Sequence, residues 1–111
     1  MVGLKLTEAY CLSNINENNY VFQQVSQETT TSVNLSWDRP YSDGGSKIQG
    51  YKIEYREVVE EHWVVSTTSL VRSQTYTVTG LVTGSEYEFR IKAVNAAGES
   101  RPSPPSAQVK L

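Results

Sequence analysis

Nucleophilic catalysis needs a nucleophile, a base and an orienting group within hydrogen-bond reach of one another. This sequence offers one histidine, His62, and one cysteine, Cys11. His62 follows Glu60 and Glu61 and precedes Trp63, a setting in which a solvated imidazole is expected. One His and one Cys do not fill a transition-metal site without carboxylates, and Glu57, Glu60 and Glu61 lack the spacing of a calcium loop. Nothing basic is adjacent to Cys11 to depress its thiol pKa. The pair Gly44-Gly45 precedes an expected strand, whereas a phosphate cradle opens a helix, so the pair reads as a turn. These residues predict no enzyme, no metal and no cofactor.

Charge alternation marks a strand face that meets water. Lys52, Glu54 and Arg56 alternate with apolar residues in one segment, and Glu88, Arg90 and Lys92 do so in another. If the two segments are neighbouring strands, the six side chains interleave on one face, where exposed cross-strand ion pairs contribute about 0.2 to 1 kcal/mol each. Such a face keeps the domain soluble, or it serves as a polar docking surface for a neighbouring domain or a ligand protein. Asn34-Leu35-Ser36 is a glycosylation sequon, relevant only if the parent protein is secreted.

Twelve acidic against ten basic residues give a formal charge of -2. No Lys/Arg cluster is present to release counterions from a phosphate backbone, so nucleic acid is not an expected partner. The longest apolar runs are too short to cross a bilayer, and MVGLKLTEAYCL lacks the basic and apolar regions of a secretory signal, so no direct membrane contact is expected. A lone cysteine leaves no intrachain disulfide and leans mildly toward a reducing compartment.

The elements that must position these residues are strands. After Met1 to Asn19, an Asn-rich linker or extra edge segment, short runs of Val, Ile, Thr, Tyr and Phe recur between turn signals. Strand A is expected over Val21 to Ser26 and strand B over Thr31 to Trp37, with Val33, Leu35 and Trp37 inward. Strand C runs from Lys47 to about Glu57, turning Tyr51, Ile53 and Tyr55 to the core and Lys52, Glu54 and Arg56 to water. A C′ strand is expected around His62 to Thr67, and strand E over Gln74 to Thr79. Strand F covers Tyr87 to Asn95, with Tyr87, Phe89, Ile91 and Ala93 inward. Pro102, Pro104 and Pro105 make strand G an edge. Alternation sends the aromatic set Trp37, Tyr51, Tyr87 and Phe89 inward, which favours core packing over ligand stacking. Seven strands in two antiparallel sheets, A-B-E against C′-C-F-G, form an all-β, immunoglobulin-like sandwich.

Three segments together resemble the fibronectin type III family over Tyr20 to Leu111. In TTTSVNLSWDRP, Trp37 stands at the family's strand B core tryptophan. In DGGSKIQGYKIEYRE, Tyr51 and Ile53 stand at its strand C pair. In YTVTGLVTGSEYEFRIKAVNAAGESRPS, Leu81 and Tyr87 bracket the turn of a tyrosine corner, where the phenol returns to upstream backbone. The phrasing DGGSKIQGY, Trp63 and NAAGESRPS is most similar to modules of titin-like giant muscle proteins; adhesion molecules and receptors carry similar modules. Arg-Gly-Asp is absent from Asn95 to Arg101, so integrin binding does not carry over, and the family's proline before strand A is missing. The resemblance implies a non-catalytic structural and protein-interaction module in a titin-like sarcomeric or cytoskeletal protein. The alternatives are an extracellular adhesion or receptor module, and an accessory domain attached to an enzyme. Its expected partners are other protein domains, with the fragment itself monomeric.

Overall fold

The computed structural model describes residues 22–39 and 47–111. Met1 to Asn19 with Cys11, the start of strand A at Val21, and the Gly44-Gly45 turn lie outside the described residues. The strands are β1 (Phe22–Thr29), β2 (Ser32–Trp37), β3 (Gly50–Glu57), β4 (Val64–Val65), β5 (Thr75–Val78), β6 (Glu86–Asn95), β7 (Gly98–Glu99) and β8 (Val109–Lys110). One sheet has the order β1-β2-β5; the other has the order β4-β3-β6-β7, with β8 also on β6. Every strand pairing is antiparallel. The expected sandwich and its sheet membership are therefore present, with the expected strand G divided in two.

Period-two alternation sets the register. Val33 lies opposite Val78 and Leu35 opposite Tyr76 in the first sheet. Tyr51, Ile53 and Tyr55 face Ala93, Ile91 and Phe89 in the second. A one-residue slip would turn every one of these side chains to the other face, so burial itself holds the register. Trp37, Tyr51, Ile53, Leu81, Tyr87, Phe89 and Ile91 all lie in the buried cluster between the sheets, with Val33, Leu35, Val78 and Ala93. Trp37 meets the Tyr51 ring edge-on, centroids 5.4 Å apart. Burial pushes the Tyr51 phenol pKa above its usual range, an effect partly offset by the charge of Arg39.

The edges depart from the expected spans. β4 pairs only two residues with β3, Val65 with Glu54 and Val64 with Tyr55. The chain then stays beside β3 without a regular ladder: Ser66 donates to the Ile53 carbonyl, and Tyr51 and Val71 exchange both backbone hydrogen bonds. β3 itself starts at Gly50 and not at Lys47. A Cβ on Gly50 would lie 2.8 Å from Leu70 Cβ and 2.9 Å from the Val71 carbonyl oxygen. Gly50→Ala is expected to lower stability by about 1 to 3 kcal/mol through overpacking. Urea unfolding reads this directly, and an unchanged midpoint would show that residues 66–71 shift freely.

The expected strand G is divided because its prolines have no N–H to give a ladder. Between β7 and β8, serines replace the ladder. The N–H groups of Ser100, Ser103 and Ser106 donate to the carbonyls of Ala93, Ile91 and Phe89 at 2.8, 2.8 and 2.7 Å. Their Oγ atoms accept from the N–H groups of the same three residues at 2.9, 2.9 and 3.0 Å. Each Oγ also donates to the next carbonyl, of Arg101, Pro104 and Ala107. Three residues of this segment thus match two of β6, and the backbone of β6 stays satisfied along an edge that proline would otherwise have opened.

Candidate protein-binding face

The β3–β6 register places Lys52 opposite Lys92, Glu54 opposite Arg90 and Arg56 opposite Glu88. The last two are complementary pairs. Arg90 Nε donates to Glu54 Oε1 at 2.6 Å. Arg56 approaches Glu88 Oε1 with Nε at 2.7 Å and a terminal guanidinium nitrogen at 2.6 Å. The first pair would repel, and Glu99 on β7 lies between the two lysines: it accepts from Lys52 and lies 3.7 Å from Lys92 Nζ. Lys92 also reaches Glu54 Oε2 at 3.2 Å. One connected network therefore joins Lys52, Glu99, Lys92, Glu54 and Arg90 across three strands.

Trp63, from the β3–β4 connection, covers the middle of this face. The guanidinium carbons of Arg56 and Arg90 lie 5.0 and 4.3 Å from its ring centroid. Each cation–π contact contributes about 0.5 to 2 kcal/mol, more as water is excluded. The expected picture of an exposed charged face needs correcting here. Glu54 and Glu88 are buried, at 6% and 7% exposure. The indole and the apolar stems of the arginines screen the carboxylates from water, while both guanidiniums keep some solvent contact.

Glu99 is half open to solvent, and the hydrogen bond from Lys52 holds its carboxyl below the ordinary range, with burial opposing that shift. A carboxylate whose folded pKa is depressed stabilises the fold above its unfolded pKa, and this contribution is lost as pH falls through the folded value. Solvent screening keeps it small.

The fibronectin type III domain model matches residues 22–109. The chain belongs to the fibronectin type III family. Human myomesin-2 is 44% identical over 79 residues, covering 71% of this chain and 5% of the relative. A titin homolog of Caenorhabditis elegans is 40% identical over 74 residues, covering 67% of the chain and a share of the relative that rounds to 0%. Human Brother of CDO is 37% identical over 84 residues, covering 74% of the chain and 8% of the relative. A crystal structure of a run of titin domains superimposes with a TM-score of 0.73 at 36% identity, covering 83% of this chain and 32% of that one. The chain thus spans only a small fraction of the curated relatives it matches.

Within this fibronectin type III domain the tyrosine corner is explicit. The Tyr87 hydroxyl accepts from the Val82 N–H at 2.9 Å, and the Leu81 N–H donates to the Thr31 carbonyl at 2.9 Å. The two contacts tie the β5–β6 connection across the end of the sandwich. Tyr87→Phe removes only the hydroxyl and is expected to lower stability by about 0.5 to 1.5 kcal/mol. Thermal unfolding with amide exchange at Val82 tests it; unchanged protection at Val82 would show that the bond does not hold the turn.

Asn34 lies on the outward side of β2, half-buried. Its amide nitrogen donates to Glu28 at 2.6 Å, and its carbonyl oxygen accepts from the Thr77 hydroxyl. A glycan at this position would displace the Glu28 contact. His62 is exposed, and no group of metal-ligating side chains is present among the described residues. Sequence reasoning missed Trp63 as a member of the face and the serines as its edge lock. The alternating arginines of β3 and β6 were a usable signal for the first, since two guanidiniums on one face attract an aromatic cover. The three-residue spacing of Ser100, Ser103 and Ser106 among prolines was a signal for the second.

Proposed function

We propose that this domain is a non-catalytic structural and protein-docking module of a titin-like sarcomeric or cytoskeletal filament protein. In this reading the β4-β3-β6-β7 face meets other protein domains, the isolated domain is monomeric, and neither nucleic acid nor a membrane is a partner. The similarity to myomesin-2 and to a titin homolog carries the reading. The face supports it chemically: arginine and tryptophan are enriched at protein interfaces, and here they are already ordered by their own contacts, which lowers the entropy lost on docking. The test is a fluorescent fusion of the chain in cultured striated muscle cells. A cross-striated pattern is expected, weakened when Lys52 and Lys92 are both changed to Glu; a diffuse signal throughout counts against the proposal.

A second reading, an extracellular adhesion module, is favoured by the similarity to Brother of CDO. It requires that Asn34 carry glycan when the chain is expressed with a leader in a secreting cell. Peptide mapping that finds Asn34 bare would weigh against it.

A further inference from the structure

β4 is the outermost strand of its sheet, and the other sheet ends at β5. Val64 stands opposite Tyr55, and residues directly opposite on paired strands share a face. The Tyr55 ring is turned to the core side, where it meets Tyr87 edge to face with centroids 5.9 Å apart. Val64 therefore lies on the inward side of β4, yet it is 48% exposed, because the first sheet has no strand beyond β5 to cover it. Val82, in the β5–β6 connection, is 58% exposed. The two valines and the two tyrosines line one groove of about 290 Å³. Gly80, at φ +74°, lines it too, and the space where its Cβ would stand is open, so no side chain at that position closes the groove.

Carboxylates border this apolar surface. Glu57 and Glu60 line the groove, and among the described residues neither enters an ion pair. His62 is also in the lining; the one arginine there, Arg56, has its charge taken up by Glu88 and its guanidinium set over Trp63. We propose that the groove docks a segment of a partner protein in which an aliphatic side chain is flanked by lysine or arginine. The aliphatic group packs against Val64 and Val82, and the flanking cations meet Glu57 and Glu60. The volume falls just under the roughly 300 to 1,000 Å³ of drug-sized ligand sites, which suits an anchoring side chain and not a cofactor. Removing the valines from water drives the association, and the two carboxylates select its partner, since an acidic segment would be repelled. Val65, the next residue, stands opposite Glu54 on the other side of β4, so this groove is separate from the charged face.

The test is a titration of the folded, ¹⁵N-labelled chain with the end-blocked peptide Lys-Lys-Leu-Leu-Lys-Lys. Saturable shifts are expected at the amides of Tyr55, Val64, Val82 and Tyr87, with none at Glu54, Glu88 or Arg90 on the charged face. Two further peptides, Lys-Lys-Ser-Ser-Lys-Lys and Glu-Glu-Leu-Leu-Glu-Glu, are each expected to bind about tenfold more weakly or worse. Val82→Ser, at an exposed position, is expected to weaken binding of the first peptide about tenfold while keeping the thermal midpoint. Val64→Ser serves if that variant unfolds, and Glu57→Gln with Glu60→Gln should weaken the same binding through charge alone. Absence of shifts at millimolar peptide, equal affinity for the serine or the acidic peptide, or shifts centred on Lys52, Arg90 and Lys92 would each overturn the assignment.

Discussion

Trp37→Ala is expected to lower the stability of the fibronectin type III domain by about 3 to 5 kcal/mol. The side chain is 2% exposed and lies in the buried cluster between the sheets. Its ring meets Tyr51 edge-on, so the substitution removes both the buried area and an aromatic pair. The cavity opens between β2 and β3, each held by its own ladder, and those ladders limit how far the walls can collapse. Tyr87→Ala should fall in the same range, adding loss of the Val82 tie to loss of the ring. Urea unfolding with constant m-value is the measurement. A fall in midpoint equivalent to less than about 1 kcal/mol for both variants would mean that the two rings do not carry the core.

Glu54→Ala is the second large effect, expected at roughly 3 kcal/mol, the low end for breaking a buried charge pair because Arg90 and Lys92 keep some contact with water. The figure far exceeds what an exposed pair contributes. The difference lies in burial: with Glu54 gone, Arg90 loses its hydrogen bond at 2.6 Å and Lys92 its contact at 3.2 Å, while Lys52 still stands opposite Lys92. A double-mutant cycle with Arg90→Ala separates the pair from the packing of each side chain. Coupling above about 1 kcal/mol is expected; coupling below about 0.5 kcal/mol would place the pair with ordinary surface contacts. The same cycle on Arg56 and Glu88 should give a coupling of similar size, because Glu88 is as buried as Glu54.

The network also bears on the docking proposal. A face that has to order flexible lysines and arginines on binding loses side-chain entropy, whereas Arg56 and Arg90 are already fixed between a carboxylate and the Trp63 ring. A partner meeting this surface therefore meets a rigid one. Val65 on β4, about half exposed and opposite Glu54, extends it with apolar area.

Alternation alone determined the sandwich. Val33, Leu35 and Trp37 on β2, Tyr51 and Ile53 on β3, and Tyr87, Phe89 and Ile91 on β6 recur every second residue, and a strand has only two faces, so their common burial followed from spacing. That Lys52, Glu54 and Arg56 share a face with Glu88, Arg90 and Lys92 was legible too, but which of them stand opposite one another was set only by the β3–β6 register. Tertiary structure decided the rest. Trp63 lies in an irregular connection, where no periodicity fixes a side chain's direction, and its position over two guanidiniums turned an expected wet face into one with buried carboxylates. The proline segment marked an edge in sequence, but its three-residue period emerged only against β6, since the hydroxyls of Ser100, Ser103 and Ser106 have a partner only once that strand's N–H groups lie beside them.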